Sequence, residues 1–178
     1  IMGQLNFDGN NTLLYQNDSR SNADVFLGVL NEGVDFISYV GHGSGYSWPS
    51  FNQEVNVSDL RNWAVNDKRP IVVDVACQNG NFDGRGRVGE TMIHGHKEHG
   101  YQNGAISYVG GSVDISWNPP AIFAQGVTKA LGENDSLSIG KGIFEGHKYL
   151  LEMHHDLDDI LDHFEWTHLQ GDPTASIR

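Results

Sequence analysis

The chain has 178 residues, with 11 Lys and Arg against 23 Asp and Glu, and a formal net charge of −12 at pH 7. That balance excludes nucleic acid or an anionic membrane surface as the main partner, since both demand a basic face. The single cysteine excludes an internal disulfide, and no apolar run approaches the roughly 18 residues of a membrane span.

The length predicts one domain, able to bury roughly 70% of its unfolded surface. It opens at Ile1-Met2-Gly3, as a processed piece of a longer precursor would. Residues 1–21 are polar and read as an irregular lead-in, with Leu13-Leu14-Tyr15 suited to one edge strand. Asn22 is placed to cap a helix that carries Val25, Phe26, Val29 and Leu30 at helical spacing, and Gly33 stands where a left-handed stop is wanted. A strand follows over 36–40 and ends in Gly41-His42-Gly43-Ser44-Gly45. Beyond a loop holding Trp48 and Phe51, Ser58 is the expected cap of a short helix with Leu60, Trp63 and Ala64 on one face.

The next strand, 70–76, is the most apolar of the chain and runs into Cys77-Gln78-Asn79-Gly80. A Gly-rich surface loop, a helix over 89–98 and a strand over 105–109 come next, and that strand also gives way to glycines, Gly110-Gly111. Pro119-Pro120 opens a helix that Gly132 ends. Residues 139–161 predict a single helix with Ile143, Phe144, His147, Leu150, Leu151 and His154 on one face and Glu152, Asp156, Asp158, Asp159 and Asp162 on its wet side. Residues 164–169 suit a last strand, with Gly171-Asp172-Pro173 as its turn. Strand alternates with helix, which predicts an α/β fold: a mostly parallel sheet flanked by helices on both faces.

Two strands therefore end in groups that can do chemistry, His42 and Cys77. A lone cysteine is more often a small buried hydrophobe than a nucleophile. Pairing with a His-Gly at a second strand end changes that reading, because parallel neighbours present both side chains at one carboxyl edge, where open α/β sheets place their sites. An imidazolium near a thiol favours the thiolate and can donate a proton to a leaving amine.

The residues around the two groups resemble a known family. Tyr39-Val40-Gly41-His42-Gly43-Ser44, with Trp48 after it, and Asp74-Val75-Ala76-Cys77-Gln78-Asn79-Gly80-Asn81-Phe82 are similar to the His and Cys motifs of the gingipain family of cysteine peptidases, of the caspase-like clan. Gly89-Glu90 resembles the acidic opening of that family's next helix. Ser112-Val113-Asp114-Ile115-Ser116-Trp117-Asn118-Pro119-Pro120 resembles its S1-lining segment, and Gly171-Asp172-Pro173 its Gly-Asp-Pro-Ser ending, with Thr174 in place of Ser. The resemblance covers residues 22–178, taken as a caspase-like catalytic domain after the 1–21 lead-in.

What the resemblance implies is a secreted or cell-surface endopeptidase with Cys77 as nucleophile and His42 as proton donor. The amides of Gly43 and Cys77 would form the oxyanion hole. Trp117 would wall the pocket for the residue before the cut. The family's first strand and helix would precede residue 1, so a missing N-terminal segment or a partner chain is expected against the sheet edge. In the basic-residue-specific relatives a carboxylate in the S1 pocket selects the side chain: the resemblance places the Arg-type carboxylate in the segment before residue 1, and the Lys-type position holds Pro119 and Pro120 here, so Asp114 is a candidate substitute and the expected preference is basic or unrestricted. A protein or peptide is the expected substrate.

Such chemistry requires no cofactor. Asp8, Asn10, Asn17 and Asp18 offer the oxygen ligands that calcium takes as a structural ion, without EF-hand spacing. His94, His96 and His99 form a second cluster, but 94 and 96 point to different helix faces, which favours a solvated helix end over a metal site. His154 and His155 with the acidic run after them read the same way. A third reading is a peptidase-like fold kept as a binding or assembly module of a cell-surface system; intact His42 and Cys77 count against it.

Overall fold

A computed structural model describes residues 11–64, 67–95, 103–134 and 136–177. Residues 11–21 form turns without a strand, so Leu13-Leu14-Tyr15 is not the edge strand expected. Helix α1 (Ala23–Glu32) starts as its sequence dictates: the Asn22 side chain accepts from the Val25 amide, and Gly33 closes the helix at φ 94°. Strand β1 (Phe36–Val40) follows.

A hairpin absent from the sequence reading comes next, β2 (Ser47–Trp48) against β3 (Val55–Asn56). It leads into α2 (Val57–Leu60), one turn long, capped by Asn56 rather than Ser58. The Asn56 side chain accepts from the amides of Ser58 and Asp59, and the Asn56 amide donates to the Asp59 carboxylate. That reciprocal capping box satisfies more orphan donors than a Ser58 cap would.

Strand β4 (Ile71–Val75) is the centre of the domain. All five of its residues are buried, as a strand covered on both faces must be. It pairs in parallel with β1 on one side and with β5 (Ser107–Gly111) on the other. Strand β6 (Thr167–Gly171) completes the order β1-β4-β5-β6 and runs antiparallel to β5. The two cores follow from the period of two along β4. Val72 and Ala76 point toward α1, α2 and α3 (Val88–His94), with Phe26, Leu30, Trp48, Trp63, Met92 and Tyr108. Ile71, Val73 and Val75 point the other way, toward α4 (Asn118–Glu133), α5 (Ile139–Met153) and α6 (Leu157–Trp166), with Phe123, Val127, Leu131, Leu150 and Ile160.

The helix expected over 139–161 is two helices. His154 leaves the helical region, and Asp156 caps α6 by accepting from the amides of Asp158 and Asp159. The chain then stays helical to Trp166, so the last strand begins three residues later than expected and turns back antiparallel. Helices α4 and α5 approach closely at Gly126 and Gly146, where a Cβ on Gly126 would lie 2.9 Å from the Gly146 Cα. Gly132 lies inside α4, and Gly110 and Gly111 lie inside β5. Helix α3 stops at Gly95, φ 63°; the rest of the span expected as helix to residue 98 lies outside the described residues.

Candidate active site

The register decides where the chemistry sits. Val40 is the Cα partner of Val75 at the carboxyl ends of β1 and β4. His42 and Cys77 each follow two residues later, and the Gly41 amide still bonds to the Val75 carbonyl at 3.1 Å. Matched parallel ends thus carry the imidazole and the thiol out at one edge of the sheet.

The His42 loop is held from below. Tyr39, buried beside Trp48 at 5.2 Å between ring centroids, donates its hydroxyl to the His42 carbonyl at 2.8 Å, and the His42 amide donates to Ser50 Oγ at 2.8 Å. The exposed imidazole meets the Trp117 ring edge-on, 5.1 Å between centroids. Gly43 fits against the nucleophile's own backbone. A Cβ there would overlap the Cys77 carbonyl oxygen and stand 2.9 Å from the Cys77 nitrogen, so only glycine lets the two loops meet.

Cys77 is half-buried, and its sulfur lies between backbone groups of one residue, 3.5 Å from the Ile115 amide and 3.7 Å from the Ile115 carbonyl. The amide is a donor for a thiolate; the carbonyl is an acceptor for a thiol. Gln78 then takes φ 58°, the one positive value among the described non-glycine residues. That turn sends the Gln78 amide to the Val113 carbonyl at 2.9 Å and its side chain Nε2 to Asp114 Oδ1 at 2.8 Å. The loop after β5 is thereby tied to the loop after β4. His42, Gly43, Cys77, Asp114 and Trp117 are brought to one surface, with Asp114 and Trp117 exposed.

Beneath them lies a buried carboxylate to which the sequence reading gave no role. Asp74 Oδ2 accepts from Trp48 Nε1 at 2.7 Å, from Asn79 Nδ2 at 3.2 Å and from the Tyr108 hydroxyl, while Oδ1 is buried with no partner. Burial pushes the Asp74 carboxyl up to about 6, against the pull of its bonds from Tyr108, Trp48 and Asn79. The signal was present: Asp74 is the one charged residue in Ile-Val-Val-Asp-Val-Ala.

Of the other candidate clusters, only some members lie among the described residues. His94 lies 4.0 Å from Glu90, and His96 and His99 fall outside the described residues. His154 Nε2 is 3.0 Å from Asp159, and Asp156 is occupied as a helix cap. Asp18 is paired with Arg20 at 2.6 Å; Asp8 and Asn10 fall outside the described residues. Among the described residues no three His, Cys, Asp or Glu side chains converge as a metal set, and no helix is long and apolar enough to cross a membrane.

Comparison with known proteins gives the family and the fold. The chain is 26% identical over 159 residues to gingipain R2 and to gingipain R1 of Porphyromonas gingivalis, matching 85% of its own length. It spans only 21% and 15% of those two proteins. Among solved structures, it superposes on the Arg specific cysteine proteinase gingipain R with a TM-score of 0.79 at 22% identity, covering 90% of this chain and 37% of that one. A complex of Porphyromonas gingivalis pro- and mature domains gives 0.77 at 21% identity, with 90% and 38% covered. Both structures share the caspase-like fold, a mixed sheet between helices. The family model described as Peptidase family C25 matches residues 5–178, reaching further into the lead-in than the motifs do, and the chain belongs to that family of cysteine peptidases.

Proposed function

We propose that this chain is the catalytic part of a cysteine endopeptidase that works through Cys77 and His42. The observation that carries the reading is the matched placement of the two groups, each two residues beyond a register-paired strand end, with Gly43 against the Cys77 amide. In the proposed cycle the Cys77 thiolate bonds to the scissile carbonyl carbon, and the charge moves to the carbonyl oxygen. The amides of Gly43 and Cys77 receive that oxyanion, a role worth roughly 3 kcal/mol per donor in such sites. As the C–N bond breaks, the amine takes a proton from the His42 imidazolium. Water then hydrolyses the thioester and restores the thiol. No cofactor enters these steps.

Trp117 forms one wall of the P1 pocket in this reading, and Asp114 draws a basic P1 side chain. Gln78 holds one Asp114 oxygen, which orients an otherwise exposed carboxylate. The relative described as Arg specific supports the basic preference. We place the protein outside the cell, as its family suggests. Full activity is proposed to need chain beyond this stretch, because the chain spans 21% and 15% of the two gingipains it matches and β1, with Val40 exposed, is an edge strand among the described residues. A pro-segment or partner chain is the natural candidate, as in the pro- and mature-domain complex. Residues 1–21 would then be a lead-in to the catalytic domain of 22–178.

The test is intact mass after exposure to peptidyl acyloxymethyl ketones varied at P1, with Cys77→Ala and His42→Ala as controls. Fast labelling by a basic P1 class, absent in Cys77→Ala and slowed by orders of magnitude in His42→Ala, is the expected result. Labelling no faster than a free thiol, with the upstream segment of the precursor present, would sink the peptidase reading in favour of a binding module.

A further inference from the structure

Two loops must keep their spacing if an imidazole and a thiol are to act on one bond, and the contact that fixes this spacing is a buried side chain. Asn79 is fully buried. Its Oδ1 accepts from the Gly45 amide at 2.9 Å, so the Cys77 loop holds the His42 loop directly. Its Nδ2 donates to Asp74 Oδ2 at 3.2 Å, which ties both loops to the central strand. The far end of the His42 loop is tied to the same oxygen through Trp48 Nε1, and β5 through the Tyr108 hydroxyl. The start of α3 closes the junction, the Gly89 amide bonding to the Asn79 carbonyl at 2.9 Å and the Val88 amide to the Gly45 carbonyl at 3.0 Å.

We propose that Asn79, seated on the Asp74 carboxylate, is a positioning residue that sets the His42 loop against the Cys77 loop; the inference rests on the peptidase reading above. A side-chain amide is required for chemical reasons. Asn, Gln, a protonated acid or a neutral imidazole can accept from one partner and donate to another through one planar group, and Asn is the smallest of these that cannot ionise. The two side-chain hydrogen bonds of Asn79 go to Gly45 and Asp74, whereas Asp114 is held by Gln78, so its loss should act on the reacting geometry and leave the P1 contacts in place. Asp74 supplies an acceptor with room for three donors, which an amide oxygen at the same place also offers in large part.

The experiment compares Asn79→Ala and Asp74→Asn with the wild-type chain. It measures kcat and KM on the peptide that the wild type cleaves fastest and, by NMR, hydrogen exchange at the Gly45 amide, with thermal melts to show that each variant is folded. Loosening the two loops by about 1 Å is expected to lower kcat about a hundredfold in Asn79→Ala, with KM within a few-fold of wild type. Gly45 exchange should rise at least about tenfold, since its acceptor is gone. The conservative Asp74→Asn should keep kcat within about tenfold, because its Oδ1 can take the same donors. A folded Asn79→Ala with unchanged kcat, or with unchanged Gly45 exchange, overturns the proposal. So does a loss that merely tracks the unfolded fraction and returns on cooling. Absence of cleavage by the wild type with the upstream segment of the precursor present refutes the peptidase reading instead, and Gly45 exchange then decides the clamp alone.

Discussion

His163 and Asp74 are buried on opposite faces of the sheet and should cancel each other's effect on acid stability, a balance that a single substitution would unmask. His163 is 2% exposed, its Nε2 has no partner and its Nδ1 reaches Thr167 Oγ1 at 3.2 Å. Burial, with a smaller push from His147 on α5, holds the imidazole down at about 3. Its folded value lies below the ordinary 6.5, so the unfolded chain takes up the proton first and stability is lost as pH falls from about 6.5 to about 3. Asp74 has the reverse sign. Its folded value of about 6 lies above 3.8, so the folded chain keeps the proton and stability is lost as pH rises through that window. Each slope is at most about 1.4 kcal/mol per pH unit, so between pH 4 and 6 each amounts to roughly 2 kcal/mol and the two oppose. His163→Leu removes the first slope only. Urea unfolding at pH 4 and pH 6 should show the variant gaining roughly 2 kcal/mol on wild type at the lower pH, whatever fixed cost the substitution carries. Asp74→Asn should lose a similar amount over the same interval. Variant and wild-type stabilities that stay parallel between the two pH values would refute the assignment of either proton.

Gly43→Ala would place a methyl against the Cys77 backbone and 2.8 Å from the Ala76 Cβ. Displacing the two loops should lower kcat by about a hundredfold while iodoacetamide still alkylates Cys77 to completion; full peptide turnover in this variant would mean the Gly43 and Cys77 amides do not share an oxyanion. Trp117→Ala removes both a pocket wall and the edge contact on His42. The expected outcome is a flattened P1 profile together with a lower kcat, read from a peptide library, and an unchanged profile would show the P1 pocket lies elsewhere.

The legible parts of the fold were those written by local chemistry. Phe36–Val40 reads as a strand and is one, with the same ends, because β-branched and aromatic residues stop at a glycine run. Asn22 and Gly33 mark their helix for equally local reasons. The parts that escaped depend on contacts distant in sequence. Ser47–Trp48 and Val55–Asn56 are two-residue strands, too short to leave a period, and they pair because Trp48 is anchored on Asp74, 26 residues away. Residues 139–161 keep a helical apolar pattern straight through His154-His155-Asp156, so the break shows only in Asp156 acting as a cap, one of several acidic residues that the run offers for that role.

The candidate site divides along the same line. His42 and Cys77 stood out because glycines follow strand ends, but their common edge depends on β1 and β4 being parallel and in register, which is a property of the sheet. Asp74 shows what the pattern conceals. In a strand whose other four residues are isoleucine or valine, a carboxylate is costly to bury, and apolar period alone treats it as noise. Its three donors come from the hairpin after His42, from the loop after Cys77 and from the neighbouring strand, so the cost is offset only when all three segments have arrived. A charged residue that breaks the pattern of a central strand is therefore itself evidence that separate loops converge there, and on this chain it lies directly under the two loops that present the imidazole and the thiol.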